Sequence, residues 1–527
     1  MALLSRMGAR RYAPGMSMPT ILRRAQRLLE LADRRFDLLV IGGGITGAGI
    51  ARDAARRGLA VGLVDREDFA AGTSSRSSRL IHGGVRYLEH GYLHLVFEAS
   101  RERRRLLAIA PHLVQPLRFT WPVYGGARIP RWKLAAGLTL YDALALFGNV
   151  GRHQRLSATE VSRSEPALAR AGLRGGASYW DAATNDARLT LANVLDAAAA
   201  SATVVNHAEV LSLIFASGAN GAATGAVVRD RLGGNEVRVQ ARIVINACGP
   251  WTDEIARMED PAARAAVRGT KGVHISVPAA RVGNAGAVTM LSPDDGRVMF
   301  TLPSGTHTII GTTDTRTAEH PHAVRAIRAD VRYLLAACNR FFPDARLTED
   351  DVVATWAGIR PLVVHRNAND PASASREHAI RMSPRQVLTI TGGKLTTYRE
   401  MAEQCVDAAV RRLGTRVRGC DTHRVPLPGA RPEPASDDRR LVDALPWREV
   451  DVDHAVRHEL AETIGDVLIR RTTLAFEQRD QGRSIAPLVA QRMANQLHWT
   501  DAGVANALEE YERETTRIFG FANAIEH

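Results

Sequence analysis

At 527 residues the chain is too long for a single hydrophobic core, and two or three domains are expected. Its 45% hydrophobic and 24% charged residues are those of an ordinary globular protein, and no apolar run reaches the roughly 18 residues that span a bilayer. The net charge of +13 leaves three anionic partners open (a membrane surface, an acidic substrate, nucleic acid) beside the plain reading of scattered surface arginines.

Residues 1–35 carry Arg6, Arg10, Arg11, Arg23, Arg24 and Arg27, with no acid before Glu30. The charge is that of a transit peptide, but the stretch is poor in Ser, and Met16 and Met18 are alternative starts. A basic extension is expected here, with a helix over 20–32 lying near a membrane.

Residues 36–65, FDLLVIGGGITGAGIARDAARRGLAVGLVD, read as strand, glycine turn, helix and second strand. Gly42, Gly44 and Gly47 form GxGxxG directly after the apolar run 38–41, which is the context the motif needs. Gly42 permits the tight turn, Gly44 lets backbone approach a pyrophosphate, and Gly47 allows the helix to lie close on the strand. Asp65 ends the second strand, about twenty residues on, where a carboxylate binds ribose hydroxyls. A dinucleotide site follows, and the motif alone leaves FAD and NAD both open.

Next comes GTSSRSSRLIHGGVRYLEHG (72–91), a density of Ser, Thr, Gly and His that is costly to bury without a ligand. A helix is expected over 94–110. Residues 134–150, LAAGLTLYDALALFGNV, are apolar nearly all round, and two readings compete: a core helix, or one dipping into a lipid interface. DARLTLA (186–192) opens a helix, strand signals follow, and RIVINACG (242–249) suits the strand closing the nucleotide sheet. Residues 267–317 alternate short strands with Gly and Pro, as in an inserted antiparallel sheet. A strand over 387–391 leads to Gly392, Gly393 and Lys394 at a helix start, and Pro426, Pro428, Pro432 and Pro434 mark 414–437 as a linker. The remainder reads as helical.

Four cysteines (Cys248, Cys338, Cys405, Cys420) lie far apart without metal-ligand spacing, so free thiols and no metal site are expected. Lysine occurs only at 133, 271 and 394, which singles those positions out in an arginine-rich chain.

The ordered motifs IGGGITGAGIARDAARRGL, TSSRSSRLIHGGVRYLEHG, WDAATNDARLTLAN, NACGPW, KGVHISVP, IGTTDT, AGIRPL and TGGKLTTYREMAE, with DVLIRRT at 466–472, resemble the FAD-dependent glycerol-3-phosphate dehydrogenases of the D-amino-acid oxidase superfamily. Two departures stand out: Arg79 where the family usually has Lys, and Cys248 where a Thr is usual. The resemblance implies an α/β (α+β overall) fold with a discontinuous Rossmann-like FAD domain (36–110, 180–250, 350–413). An inserted antiparallel-sheet substrate domain (111–179, 251–349) and a C-terminal helical domain (438–527) complete it. It implies FAD as cofactor, a small phosphorylated polyol as substrate and a membrane quinone as electron acceptor. A cytoplasmic protein peripherally held on the anionic surface of the inner membrane follows, with a homodimer possible.

Within that family the substrate phosphate needs planar cationic forks, for which Arg86 and Arg360 are the candidates. His274, one pleat beyond Lys271, is the expected general base, suited to take a proton near neutrality. Lys394 and the backbone at Gly392, Gly393 and Leu395 are expected to stabilise charge on the flavin. Tyr87, Lys271 and Thr313 are expected at the substrate, and Thr73, Ser74, Ser78, His82 and Gly83 along flavin and pyrophosphate. A dehydrogenase of another polyol phosphate, such as erythritol phosphate, is the rival enzyme, and an oxygen-using oxidase would usually carry an insertion not seen here. An FAD-dependent tRNA-modifying protein is disfavoured because the arginines are dispersed and aromatics make up only 5% of residues.

Overall fold

Leu38 and Val40 point to one face of the first strand, Leu39 and Ile41 to the other, and all four are buried. A strand apolar on both sides belongs inside a sheet covered on both faces, and a computed structural model describing residues 23–218, 221–363, 377–429 and 438–521 places it there. Parallel strands run in the order Val387–Gly392, Glu236–Asn246, Arg35–Ile41, Val61–Val64, Thr203–Val205. The strand ending at Asn246, expected to close this sheet, is therefore interior. Helices Ile45–Arg56, Asp186–Ala199 and Tyr398–Leu413 cover one face.

The other face is covered in part by helix Arg24–Asp33, which corrects the expectation of a membrane-facing basic extension. Arg24 bonds Asp230 at 2.6 Å, and the buried Arg27 bonds Glu462 at 2.6 Å, so these arginines are spent inside the fold. Residues 1–22, including both alternative starts, lie outside the described residues.

The second sheet is mainly antiparallel, in the order Thr315–Arg316, Val267–Pro278, His307–Gly311, Val298–Ser304, Ala287–Leu291, Val114–Tyr124, Leu173–Thr184, Leu80–Ile81. Strand Ala354–Val363 pairs along Val267–Pro278, with Arg360 opposite Thr270. The substrate-side sheet thus takes in residues 80–81, 180–184 and 354–363, beyond the boundaries expected from sequence. In the supposed linker, Leu427 is fully buried and Arg52 donates to the carbonyls of Thr422 and Val425, so 414–429 is packed chain. Residues 430–437 lie outside the described residues.

The C-terminal helices Glu449–His458, Ala486–Leu497 and Asp501–Phe519 share a core with the second sheet through Trp356 and Phe476. They are stitched to the nucleotide domain by buried ion pairs. Arg470 and Arg471 both hold Asp68, and Arg188 bonds Glu459 at 2.6 Å. Asp68 also approaches His207 and Asp466, but its carboxylate is already occupied by the two guanidinium groups.

Candidate active site

A cavity of about 450 Å³ runs between the two sheets. At one end lies the glycine turn. Gly42 has φ +104°, and a Cβ there would sit 2.7 Å from the carbonyl oxygen of Ala247. A Cβ on Gly47 would come within 1.8 Å of Gly42 O, so Gly47 serves close packing and does not itself line the cavity, whereas Gly42 and Gly44 do. Gly44 caps helix Ile45–Arg56, and Ser74 Oγ accepts from Ile45 N at 2.9 Å. Thr73 lines the wall and donates its hydroxyl to Ile359 O at 2.8 Å.

Asp65 lines the cavity while its carboxylate accepts Gly43 N–H at 2.6 Å and Glu67 N–H at 2.8 Å. Burial pushes this carboxyl up to about 7. It therefore braces the glycine turn as well as standing where a ribose would lie. Trp251 adds a buried indole N–H with no partner among the described residues, on the same wall. An elongated cleft with bare backbone at a helix N-terminus, a carboxylate and an unspent donor fits a dinucleotide.

At the far end, strand Val267–Pro278 points Gly272 and His274 into the cavity. His274 is buried, stacks on Trp356 (5.4 Å between centroids, 12° between planes), and shares a 2.8 Å hydrogen bond between its Nε2 and Ser78 Oγ. Its Nδ1 has no partner among the described residues. Burial, then the guanidinium groups of Arg360 and Arg79, pull its pKa from 6.5 down to about 3. The imidazole is neutral at physiological pH. Ser78, expected along the cofactor, lines the cavity but is in addition the partner of His274.

Arg360 lies over the bare face of Gly272, where a Cβ would stand 2.4 Å from its Nη2. It donates to Asp314 Oδ1 at 3.2 Å and to Thr312 Oγ1 at 3.0 Å. Tyr87, His82, Lys394 and Leu395 line the adjoining wall, with Lys394 Nζ 3.7 Å from the centre of the Tyr87 ring. Gly392 and Gly393 have φ of +77° and +87°, and both line the cavity.

Besides Gly47, three expected site residues fall elsewhere. Lys271 is one residue off the pleat of Gly272 and His274, so its side chain leaves by the opposite face and is buried against Asp330 at 2.8 Å. Thr313 turns its hydroxyl to Val273 N at 3.0 Å, and its neighbours Thr312 and Asp314 line the cavity instead. Gly83 is turned away as well. A Cβ there would strike the Tyr141 hydroxyl at 2.3 Å, and its N–H goes to Asp181 at 3.0 Å, while Gly84 lines the cavity. Arg86 belongs to the turn Val85–His90, and its side chain lies outside the described residues.

Sequence reasoning missed Thr312, Asp314, Asp181 and Trp251, each of which lines the cavity. Asp181 accepts from Tyr141 OH at 2.6 Å and from Arg103, an anchored carboxylate behind the glycines of HGG. All four sit inside motifs already singled out, and period-two alternation around Thr313 was the signal that pointed to its neighbours.

Residues 37–399 match the family described as FAD dependent oxidoreductase, and 430–504 match the C-terminal domain of alpha-glycerophosphate oxidase. The aerobic glycerol-3-phosphate dehydrogenase of Staphylococcus saprophyticus is 38% identical over 79% of this chain and 74% of its own length. The glycerol-3-phosphate dehydrogenase of Synechocystis is 35% identical over 92% of this chain and 96% of its own. The chain belongs to the FAD-dependent glycerol-3-phosphate dehydrogenase family. A solved glycerol-3-phosphate dehydrogenase from Bacillus halodurans, complexed with FAD, superposes with a TM-score of 0.75 at 29% identity, covering 94% of this chain and 97% of that one.

For a glycerol-3-phosphate dehydrogenase family member the cofactor is FAD, and the cleft accommodates it without altered residues at the glycine turn. Cys248, the departure nearest the cofactor strand, spends its thiol on Ile41 O at 3.3 Å, and burial raises its pKa, so it is an inert wall group. Arg79, the other departure, lies over the rings of Phe476 (4.4 Å) and Trp356 (5.4 Å), a stack that suits a planar guanidinium.

Proposed function

We propose that the protein oxidises sn-glycerol 3-phosphate to dihydroxyacetone phosphate and passes the electrons to a membrane quinone. The observation that carries this reading is a neutral, buried histidine within the field of a cavity-facing arginine. Arg360, steadied by Asp314 and Thr312, presents a fork for the substrate phosphate. His274 takes the proton of the secondary hydroxyl while Ser78 steadies the ring through Nε2. Bound FAD supplies the acceptor for the hydride that leaves the same carbon.

The low proton affinity of His274 is partly the work of Arg360 itself. A phosphate dianion seated on that guanidinium screens its charge, so substrate binding raises the basicity of the imidazole when it is needed. Lys394 and Tyr87 border the flavin end, where a fixed cation favours negative charge on the reduced ring. Among the described residues no helix is long and apolar enough to cross a membrane, which is consistent with peripheral contact to a lipid-borne acceptor.

Anaerobic turnover with a short-chain quinone tests the assignment. The holoenzyme is expected to convert glycerol 3-phosphate into equal amounts of dihydroxyacetone phosphate and quinol, and to work far more slowly on erythritol phosphate. Preference for the larger polyol, or failure of the quinone to reoxidise the enzyme, would refute the respective half of the proposal.

A further inference from the structure

His274 lies between two cross-strand neighbours of opposite size. Facing it on strand His307–Gly311 is Gly311, where a Cβ would collide with Cδ2 of the imidazole. Facing it on strand Ala354–Val363 is Trp356, fully buried, whose indole stacks on the imidazole with 12° between the planes. Bare backbone on one side makes room for the ring, and the indole on the other closes the space into which it would swing. The hydrogen bond between Nε2 and Ser78 is a single point of attachment, about which a ring can still rock. The stack removes that freedom.

Trp356 is in turn held by the C-terminal domain. Phe476, from the turn Leu474–Phe476, meets the indole edge-on at 5.2 Å and 87°, and Phe519 meets Phe476 the same way at 4.9 Å and 84°. Hydrogen bonds to backbone accompany the rings. Ser276, two residues beyond His274 and so on the same face of its strand, donates its hydroxyl to Phe476 O at 3.1 Å. Thr355 donates to Phe519 O at 3.0 Å, and the indole N–H of Trp356 goes to Ser77 O at 3.3 Å. Neither Trp356 nor Phe476 lines the cavity, so both act on the reaction only through the imidazole. Ordinary core packing accounts for buried rings, but here a row that begins in a separate domain ends on a cavity-facing base.

We propose that the C-terminal helical domain completes the active site from behind, with Phe476 and Trp356 as positioning residues that set the plane of the His274 ring and keep water from its outer face. The proposal rests on the reading of His274 as the base and names what orients it. Orientation matters because a misplacement of about an ångström costs a reacting group on the order of a hundredfold in rate.

The test is anaerobic stopped-flow reduction of full-length, FAD-matched holoenzyme by glycerol 3-phosphate. The limiting rate and the substrate dissociation constant are read separately, and each rate is followed from about pH 5 to about pH 8.5. Trp356→Leu and Phe476→Leu are expected to lower the limiting rate about 10- to 100-fold, while Trp356→Phe, which keeps a stacking face, stays within about threefold of wild type. The dissociation constant should not change, since Arg360 is untouched. The charged groups that act on the ring, the guanidinium groups of Arg360 and Arg79, remain in all three variants. Water admitted to the outer face therefore shows as an acid limb of the rate profile that moves up in the two leucine variants, toward the ordinary histidine value of 6.5.

Unchanged limiting rates and acid limbs in the folded, FAD-loaded leucine variants, with only the thermal midpoint lowered, would reduce the rings to core packing and overturn the proposal. A raised dissociation constant at constant limiting rate would refute it as well. Where Trp356→Leu does not fold, Phe476→Leu decides alone, because it leaves the stack in place and removes only its brace. Failure of glycerol 3-phosphate to reduce the wild-type flavin would overturn the functional reading and this inference together, whereas reduction at equal rates in wild type and variants would overturn this inference only.

Discussion

Ser78 Oγ lies 2.8 Å from Nε2 of His274, and that hydrogen bond ties the hydroxyl-rich loop of the nucleotide domain to the base on the substrate sheet. If Nε2–H donates to Ser78, the lone pair is left on Nδ1, the nitrogen without a partner. Ser78 then acts as a positioning residue that selects the tautomer. Ser78→Ala is expected to slow flavin reduction by glycerol 3-phosphate about 10- to 100-fold, below the full general-base contribution, with normal FAD content. Rapid-mixing absorbance decides this. An unchanged reduction rate would refute the positioning role.

Gly272 and Arg360 make a second pair in which bare backbone serves a side chain. A methyl at 272 would stand 2.4 Å from Nη2, so Gly272→Ala should push the guanidinium off its bonds to Thr312 and Asp314. KM for glycerol 3-phosphate is expected to rise about 10-fold or more, the value of a charged hydrogen bond, and Arg360→Lys should do the same by losing the planar fork. Steady-state kinetics with a soluble acceptor measures both.

Lys271 provides the contrast. Its ion pair with Asp330 is buried, and breaking such a pair from one side costs about 3–5 kcal/mol. Lys271→Met should therefore lower the thermal midpoint clearly while the folded fraction keeps its KM. A raised KM with unchanged stability would restore Lys271 to the substrate site.

Acidity separates His274 from ordinary histidines. Its folded pKa of about 3 lies below the unfolded value of about 6.5, so on acidification the unfolded chain takes the proton first. Stability from the neutral ring is complete above pH 6.5 or so and drains away as pH falls toward 3. Denaturation of wild type and His274→Gln, compared at pH 7.5 and pH 4.5, should show the difference between them shifting in favour of the variant at the lower pH. A pH-independent difference would mean that the ring titrates normally.

The nucleotide half of the fold was legible because its signals are local. GxGxxG, the buried run 38–41 and Asp65 dictate one strand–turn–helix unit, and Gly42 and Gly44 line the cavity. His274, Arg360, Lys394, Tyr87 and His82 also meet there, although they come from segments hundreds of residues apart. The errors have a common cause in side-chain direction. Lys271, Thr313 and Gly83 each lie one residue away from a position that faces the cavity, and a motif names the stretch without naming the pleat. Helix Arg24–Asp33 departs from its expected place for another reason, since its arginines find acids at 230 and 462, far along the chain.

In the proposed reaction His274 accepts the substrate proton beside Arg360 in a FAD-loaded cleft. Anaerobic stopped-flow bleaching of the bound flavin by glycerol 3-phosphate, in wild type and in His274→Ala with matched FAD content, tests it most directly. Complete bleaching of the wild type and a rate at least about 100-fold lower in the variant is the predicted result. Equal rates in the two proteins would contradict it.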